Sequence, residues 1–268
     1  MDTLYYAPGT GGDVVALDCS VVASGAAPDL RSYAYDYELG SFGVQSVITG
    51  ARKAEITVHA RKTSADALVS ALARDAGATV PGTITLLGWS QRCLVPEIEV
   101  SKVYKGHVKL SLTMLLLDGW WWREKGRYFP RGTSSGGIDL PTDPPHDYGH
   151  ESGRAVITNA ADVAAPLCIT YWGPCVNPYV LIGDNRHQVN VEVRTGSTLV
   201  LDALGPRKAV TLEDVSGSRT NVFSATVRED GAQAFDSLPA GDSEITWSGA
   251  FAFRVDWRER RAAPPWVQ

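Results

Sequence analysis

The chain has no run of about 20 apolar residues, the length needed to cross a bilayer. Its longest apolar-rich run, Leu110 to Leu117, is interrupted by Ser111 and Thr113. The opening MDTLYYAPGTGG has neither the basic n-region nor the apolar h-region of a signal peptide, so synthesis in the cytoplasm is expected. Cysteine is sparse. Cys19, Cys93, Cys168 and Cys175 are scattered with no CxxC pair, which favours free thiols over a disulfide framework or a metal site. Positive charge is also short: the net charge is -5, and Arg258 to Arg261 is the one dense basic run. Sequence-independent nucleic-acid binders carry a basic surface that displaces phosphate counterions, and such a surface is missing.

Catalytic motifs are missing too. There is no GxSxG elbow for acyl transfer. The Gly-rich segments Gly9–Gly12 and Thr133–Gly137 lack the Lys-Ser/Thr of a phosphate-binding loop. His146 and His150 lie four apart beside Asp147 and Glu151, but lack a third clear ligand and the helical HExxH form. Asp139, Asp143 and Asp147 sit among prolines and read as turn caps rather than a glycosidase pair. No catalytic residue, cofactor or metal is expected, and the chain reads as a non-enzyme.

What the chain does have is an ordinary globular composition, 44% hydrophobic and 21% charged, over 268 residues. That length fits one large domain or two of common size. Short alternating runs dominate. Ile56, Val58 and Ala60 alternate with Glu55, Thr57 and His59, the period-2 pattern of a half-buried strand. Tyr33, Tyr35 and Tyr37 alternate in the same way and predict a sheet face packed on a neighbour. Runs from Gln91 to Tyr104 and from Gly106 to Trp122 predict a long hairpin. One helix stands out over about 64–76, with Thr63 or Ser64 as N-cap and Gly77 as its stop. Ala65, Leu68, Leu72 and Ala76 line its apolar face. In the second half, turn signals recur at short intervals, and Phe251, Phe253, Val255 and Trp257 share one face of a final strand. Several short strands with regular turns predict an all-β sandwich without a helix.

Between the halves lies a stretch that divides the chain. It starts with Trp120, Trp121 and Trp122, passes Tyr128 and Phe129, and ends in a Gly/Ser segment and the proline-rich IDLPTDPPHDYG. Pro141, Pro144 and Pro145 cannot donate backbone hydrogen bonds and hold their neighbours extended. The stretch therefore reads as a semi-rigid hinge, with domains at 1–133 and 134–268. Three successive tryptophans on a strand cannot share a face. With Tyr128, Phe129 and Tyr148 they are candidates for an interface between domains or subunits, the alternatives being a single-domain core and a sugar-stacking site.

The aromatic strand end, the DLPxDxPxDYG-like passage, ITYWGPCVNPYV, TLVLDA and LPAGDSEITW together resemble the distal tail (Dit) family of long-tailed phages. The matched passages span roughly residues 115 to 257, and Asp242-Ser243 stands where many relatives have Asn. The resemblance implies a mainly β chain of two sandwiches. The first is tail-tube-like with one packed helix, and the second is galectin-like or carbohydrate-module-like. It also implies a structural virion protein at the tail tip, forming a hexameric ring that continues the DNA channel. The implied partners are further copies of the chain, the tail-tube protein, the tail-associated tip or fibre protein and the tape-measure protein. Neither specific nucleic-acid binding nor membrane insertion is implied. A carbohydrate-binding module for a host cell-surface glycan is the alternative.

Overall fold

A computed structural model describes residues 4–17, 28–132, 153–205 and 207–265. The proline-rich hinge, with Pro141, Pro144, Pro145 and Tyr148, lies outside the described residues, as do His146, His150 and the three hinge aspartates. The chain is mainly β and divides into two compact units. One runs to Arg123 and takes up the chain again from Arg261; the other is Glu124–Arg260.

The first unit holds β1 (Leu4–Ala7), β2 (Val15–Ala16), α1 (Pro28–Arg31), β3 (Asp36–Gly40), β4 (Gly43–Ile48), β5 (Arg52–Arg61), α2 (Lys62–Ala78), β6 (Gly82–Leu86), β7 (Trp89–Val103), β8 (His107–Leu116) and the start of β9 (Trp121–Phe129). Strand β5 runs antiparallel to β8 with Ile56 opposite Leu112 and Val58 opposite Leu110. These side chains point inward, as the alternation predicts, and are buried with Leu68 and Leu72 of α2. Small Ala65 and Ala71 on the same helix face are also buried. The first part of β7 pairs with β6, whereas its second part pairs with β8. A register shift between Leu94 and Glu97 accommodates Pro96, which has no N–H to give the ladder.

Three expectations need correction here. Helix α2 starts two residues early, directly from β5. Its N-cap position is Arg61, which makes no side-chain cap, and Thr63 and Ser64 lie inside the helix. The Lys62 N–H donates instead to the Gly106 carbonyl in the β7–β8 turn, so tertiary contact takes over from local capping. At the other end Gly77 is helical, and Thr79 takes the left-handed conformation. The run from Gly106 to Trp122 is two strands, broken at Asp118–Trp120, where Gly119 adopts a positive φ. Finally, the tyrosine alternation does not mark a packed face. Tyr33 and Tyr35 precede β3, and Tyr33 and Tyr37 are exposed.

The second unit is a sandwich without an α-helix among the described residues. It contains β10 (Gly153–Asn159), β11 (Leu167–Trp172), β12 (Cys175–Val176), β13 (Tyr179–Ile182), β14 (Asn185–Gln188), β15 (Glu192–Val193), β16 (Thr198–Asp202), β17 (Ala209–Glu213), β18 (Arg219–Asn221), β19 (Arg228–Glu229), β20 (Ala232–Gln233), β21 (Gly241–Trp247) and β22 (Ala252–Arg261). One sheet runs β18-β17-β16-β11-β22 and on to β9; the other is β10-β21-β13-β14. Ile169 lies opposite both Leu201 and Val255 in the first sheet. They share a core with Ile157, Val180 and Ile245 of the second.

Candidate interaction surface

Strands β3 and β4 form a separate two-stranded ribbon joined at Ser41-Phe42. Tyr37 lies opposite Val47 and Leu39 opposite Val44, while Glu38 faces Ser46, whose hydroxyl donates to it at 2.8 Å. Cross-strand partners share a face, so Tyr37, Leu39, Val44 and Val47 make one apolar side. All four are exposed, Leu39 by 69%, and Phe42 at the tip is entirely so. A two-stranded hairpin is marginal alone in water. An uncovered apolar face on one marks a contact surface.

The base of this ribbon is anchored. The Tyr35 ring lies 5.6 Å from that of Trp120 and 5.2 Å from that of Tyr33. Gly119 packs so close to Thr49 and Gly50 that a Cβ there would come within 3.1 Å of the Gly50 nitrogen.

The sequence-derived candidates divide between the two units. Trp120 is half-buried beside the ribbon base. Trp121 turns the other way into the core of the first unit. Half-buried Trp122 donates its Nε1–H to Asp118 at 3.3 Å, and Asp118 also accepts from the backbone and guanidinium of Arg92. In the second unit Phe129 is buried and stacks on Phe253 at 4.6 Å. Tyr128 is exposed and meets Trp172 edge-on at 5.5 Å.

Next to the ribbon in sequence, the outward face of β5, β8 and β7 is polar and banded by charge. Glu55 and Glu97 both flank Thr113, and Glu99 and Thr57 flank Ser111. Further along, His59 and Lys102 flank Lys109, and Arg61 lies opposite His107. Among the described residues, β5 pairs only with β8, and no strand pairs with the β7 edge beyond Glu97 other than β8.

Sequence reasoning missed one buried polar centre. Asp75, on the apolar face of α2, is fully buried. Its carboxylate accepts from the Tyr6 hydroxyl at 2.5 Å, the Gly9 and Thr10 amides at 2.9 Å each, and the Thr10 hydroxyl at 2.6 Å. Burial pushes this carboxyl up, but the bonds from Thr10, Tyr6 and Gly9 together hold it below its ordinary range. The Gly-rich loop thus cradles an anion after all, and the anion is the chain's own. The spacing Leu68, Leu72, Asp75 was the available signal: an acid on an otherwise apolar stripe.

Among the described residues no three His, Cys, Asp or Glu side chains converge as a metal site. Cys93, Cys168 and Cys175 are free thiols, which burial pushes up to about 12, 12 and 11. His187 is buried in the second unit, with Nδ1 3.0 Å from the Ala234 carbonyl and Nε2 3.1 Å from the Asn185 side-chain nitrogen. Those partners fit the neutral tautomer that donates from Nδ1 and accepts at Nε2, and burial holds the imidazole below its ordinary value.

No protein-family model and no curated protein matches this sequence. Solved structures do. The SPP1 Dit protein (gp 19.1), a hub adsorption apparatus of phages that infect Gram-positive bacteria, aligns with a TM-score of 0.56 at 10% identity, over 96% of this chain and 99% of that one. The chain has the fold of a phage distal tail protein. The phage P2 baseplate in its activated conformation with Ca also aligns, with a TM-score of 0.56 at 9% identity, over 98% of this chain and 99% of the baseplate chain. Both alignments cover nearly all of this chain, well beyond the passages whose motifs resembled the family.

Proposed function

We propose that the chain is a structural distal tail protein, a ring at the tip of a long phage tail. It joins the tail tube to the tip or fibre protein and the tape-measure protein, and it acts through geometry rather than chemistry. The carrying observation is the fold likeness over almost the whole of both chains. The uncovered ribbon supports self-association, since its apolar face needs a partner and a second copy supplies a surface at every step. A head-to-tail contact of this kind closes into a ring when its rotation allows. The outer edges of β5 and β7, which pair with no further strand among the described residues beyond Glu97, lie on opposite sides of β8, which suits the same repeat. In this reading the polar face of β5, β8 and β7 lines the channel. Its acidic band of Glu55, Glu97 and Glu99 repels DNA phosphates, and the basic band lies towards the β7–β8 turn.

Light scattering of the purified protein, with negative-stain images of the same fraction, tests this reading. Holed particles near six times 28.8 kDa are expected. The double variant Leu39→Asp/Val44→Asp should stay folded, because neither side chain touches the core, yet remain monomeric. Rings that form equally well in that variant would remove the ribbon from the assembly. Absence of rings both alone and with tail-tube protein would sink the functional reading.

A further inference from the structure

Strand β7 leaves part of one edge open. From Glu97 onward it pairs with β8 on one side and, among the described residues, with no strand on the other. On the face that carries the core, Val100 lies opposite buried Leu110 and Val103 opposite Val108. Yet Val100 is 56% exposed and Val103 64%. An open row of backbone N–H and C=O groups beside apolar side chains is a template for another strand. The outer edge of β5 is the matching row on the far side of β8. There Ala54 and Ile56 are buried, while Lys53 and Glu55 are exposed and pair with each other at 3.0 Å.

Charge decides how a second copy fits this edge. Strands β5 and β7 both run antiparallel to β8, so they are parallel to each other. Copies in a ring share one direction along its axis, so β5 of one meets β7 of the next in parallel. Any odd offset sets the apolar face of one strand against the polar face of the other. With no offset Glu97 meets Glu55, since Thr113 stands level with both. Like charges directly opposite one another are destabilising. An offset of two residues towards the β7–β8 turn sets Glu99 against Glu55, and offsets the other way drive β5 along the part of β7 that β6 already pairs. The next even offset towards the turn removes every conflict. It sets Lys53 beside Glu99, Ala54 beside Val100, Glu55 beside Lys102 and Ile56 beside Val103. The Lys53–Glu55 pair then closes an alternating square of four charges, and the exposed valines are covered. One further step would set Lys53 against Lys102. An offset repeated at each copy also tilts the strands, as closing a sheet into a barrel requires.

We infer that the open edge of β7 takes β5 of a second copy in this shifted register, with Glu99 and Lys102 paired to Lys53 and Glu55 of the neighbouring copy. The inference rests on the ring reading above and adds which residues meet at each contact. Within one copy Lys53 and Glu99 lie roughly 17 Å apart by strand spacing and rise, too far for an ion pair. Light scattering over a dilution series of the full chain, with tail-tube protein present if the rings require it, reads the concentration at which half the protein is assembled. Lys53→Glu and Glu99→Lys should each raise it at least ten-fold, and Lys53→Glu/Glu99→Lys should restore it, all three melting as the wild type does because both sites are exposed. On mild oxidation, Lys53→Cys/Glu99→Cys should give a reducible ladder of linked copies that the wild type lacks. Thr57→Cys/Glu99→Cys, which are level in the unshifted register, should not. Wild-type protein that stays monomeric, alone and with tail-tube protein, removes the ring and this contact together. Wild-type rings that tolerate both reversals, a double reversal that fails to recover them, or a ladder from Thr57→Cys/Glu99→Cys would overturn the register and leave the ring standing.

Discussion

Replacing Asp75 tests the internal logic of the first unit most sharply. In Asp75→Ala, the Tyr6 hydroxyl, the Gly9 and Thr10 amides and the Thr10 hydroxyl lose their common acceptor. A buried donor left unpaired costs about 1–3 kcal/mol. The loop amides can relax towards water because Thr10 itself is exposed. The Tyr6 hydroxyl cannot, since Gly82 packs against it so tightly that a Cβ there would lie 2.3 Å away. The Tyr6 penalty in full and partial ones for the two amides, with the hydroxyl of exposed Thr10 turning to water, give a loss of about 2–5 kcal/mol. Tyr6→Phe removes one donor and leaves the carboxylate three, so about 1–2 kcal/mol is expected. Asp75→Asn should fall between, because its amide presents N–H groups to donors.

Urea denaturation of the full chain reads the totals, and amide exchange at Gly9 and Thr10 reads the loop directly. The carboxyl is held below its ordinary value, so its contribution is complete above the unfolded value near 3.8 and is lost as pH falls through the folded one. That acid-side loss should vanish in Asp75→Asn. A cost below 1 kcal/mol for Asp75→Ala, or unchanged exchange at Thr10, would refute the account.

Two further outcomes follow from single positions. Gly77 is helical with open space where its Cβ would be, so Gly77→Ala should raise stability by about 0.5–1 kcal/mol in the same denaturation assay; a loss would mean that the glycine is needed. His187 should stay neutral below its ordinary 6.5, because protonating Nε2 would set two donors against each other at Asn185. Stability should therefore be full above about 6.5 and decline as pH drops below it, with Asp236 the charged group that partly offsets the loss. A ring-proton NMR titration of His187 centred at or above 6.5 would refute this.

The sequence was legible wherever a local period met a core. Ile56, Val58 and Ala60 in β5, Phe253, Val255 and Trp257 in β22, and Leu68 and Leu72 in α2 announced their buried faces. A period of 2 or 3.6 leaves one side chain after another on the same side of its element. Passages such as ITYWGPCVNPYV carried the resemblance, and the fold agrees with it.

Other features depended on what stands across from a residue, which no local pattern records. The tyrosine alternation around Tyr35 looked like a packed strand but prepares an exposed ribbon, because among the described residues β3 and β4 pair only with each other. Thr63 and Ser64 had the chemistry of an N-cap, yet the helix starts earlier because β5 runs straight into it and Gly106 supplies the acceptor. Asp75 is one of thirty acids, and its place on an apolar stripe hints at burial, but only folding brings it under Tyr6, Gly9 and Thr10. Trp172 and Tyr128 are 44 positions apart in the numbering and meet because β11, β22 and β9 are adjacent in one sheet. By itself, then, the sequence determined element types, buried faces and the mainly β character, which follow from short-range periodicity. The tertiary structure decided which apolar face stays uncovered, which acid is clamped and which aromatic rings share a sheet face, because each depends on contacts between residues far apart in the chain.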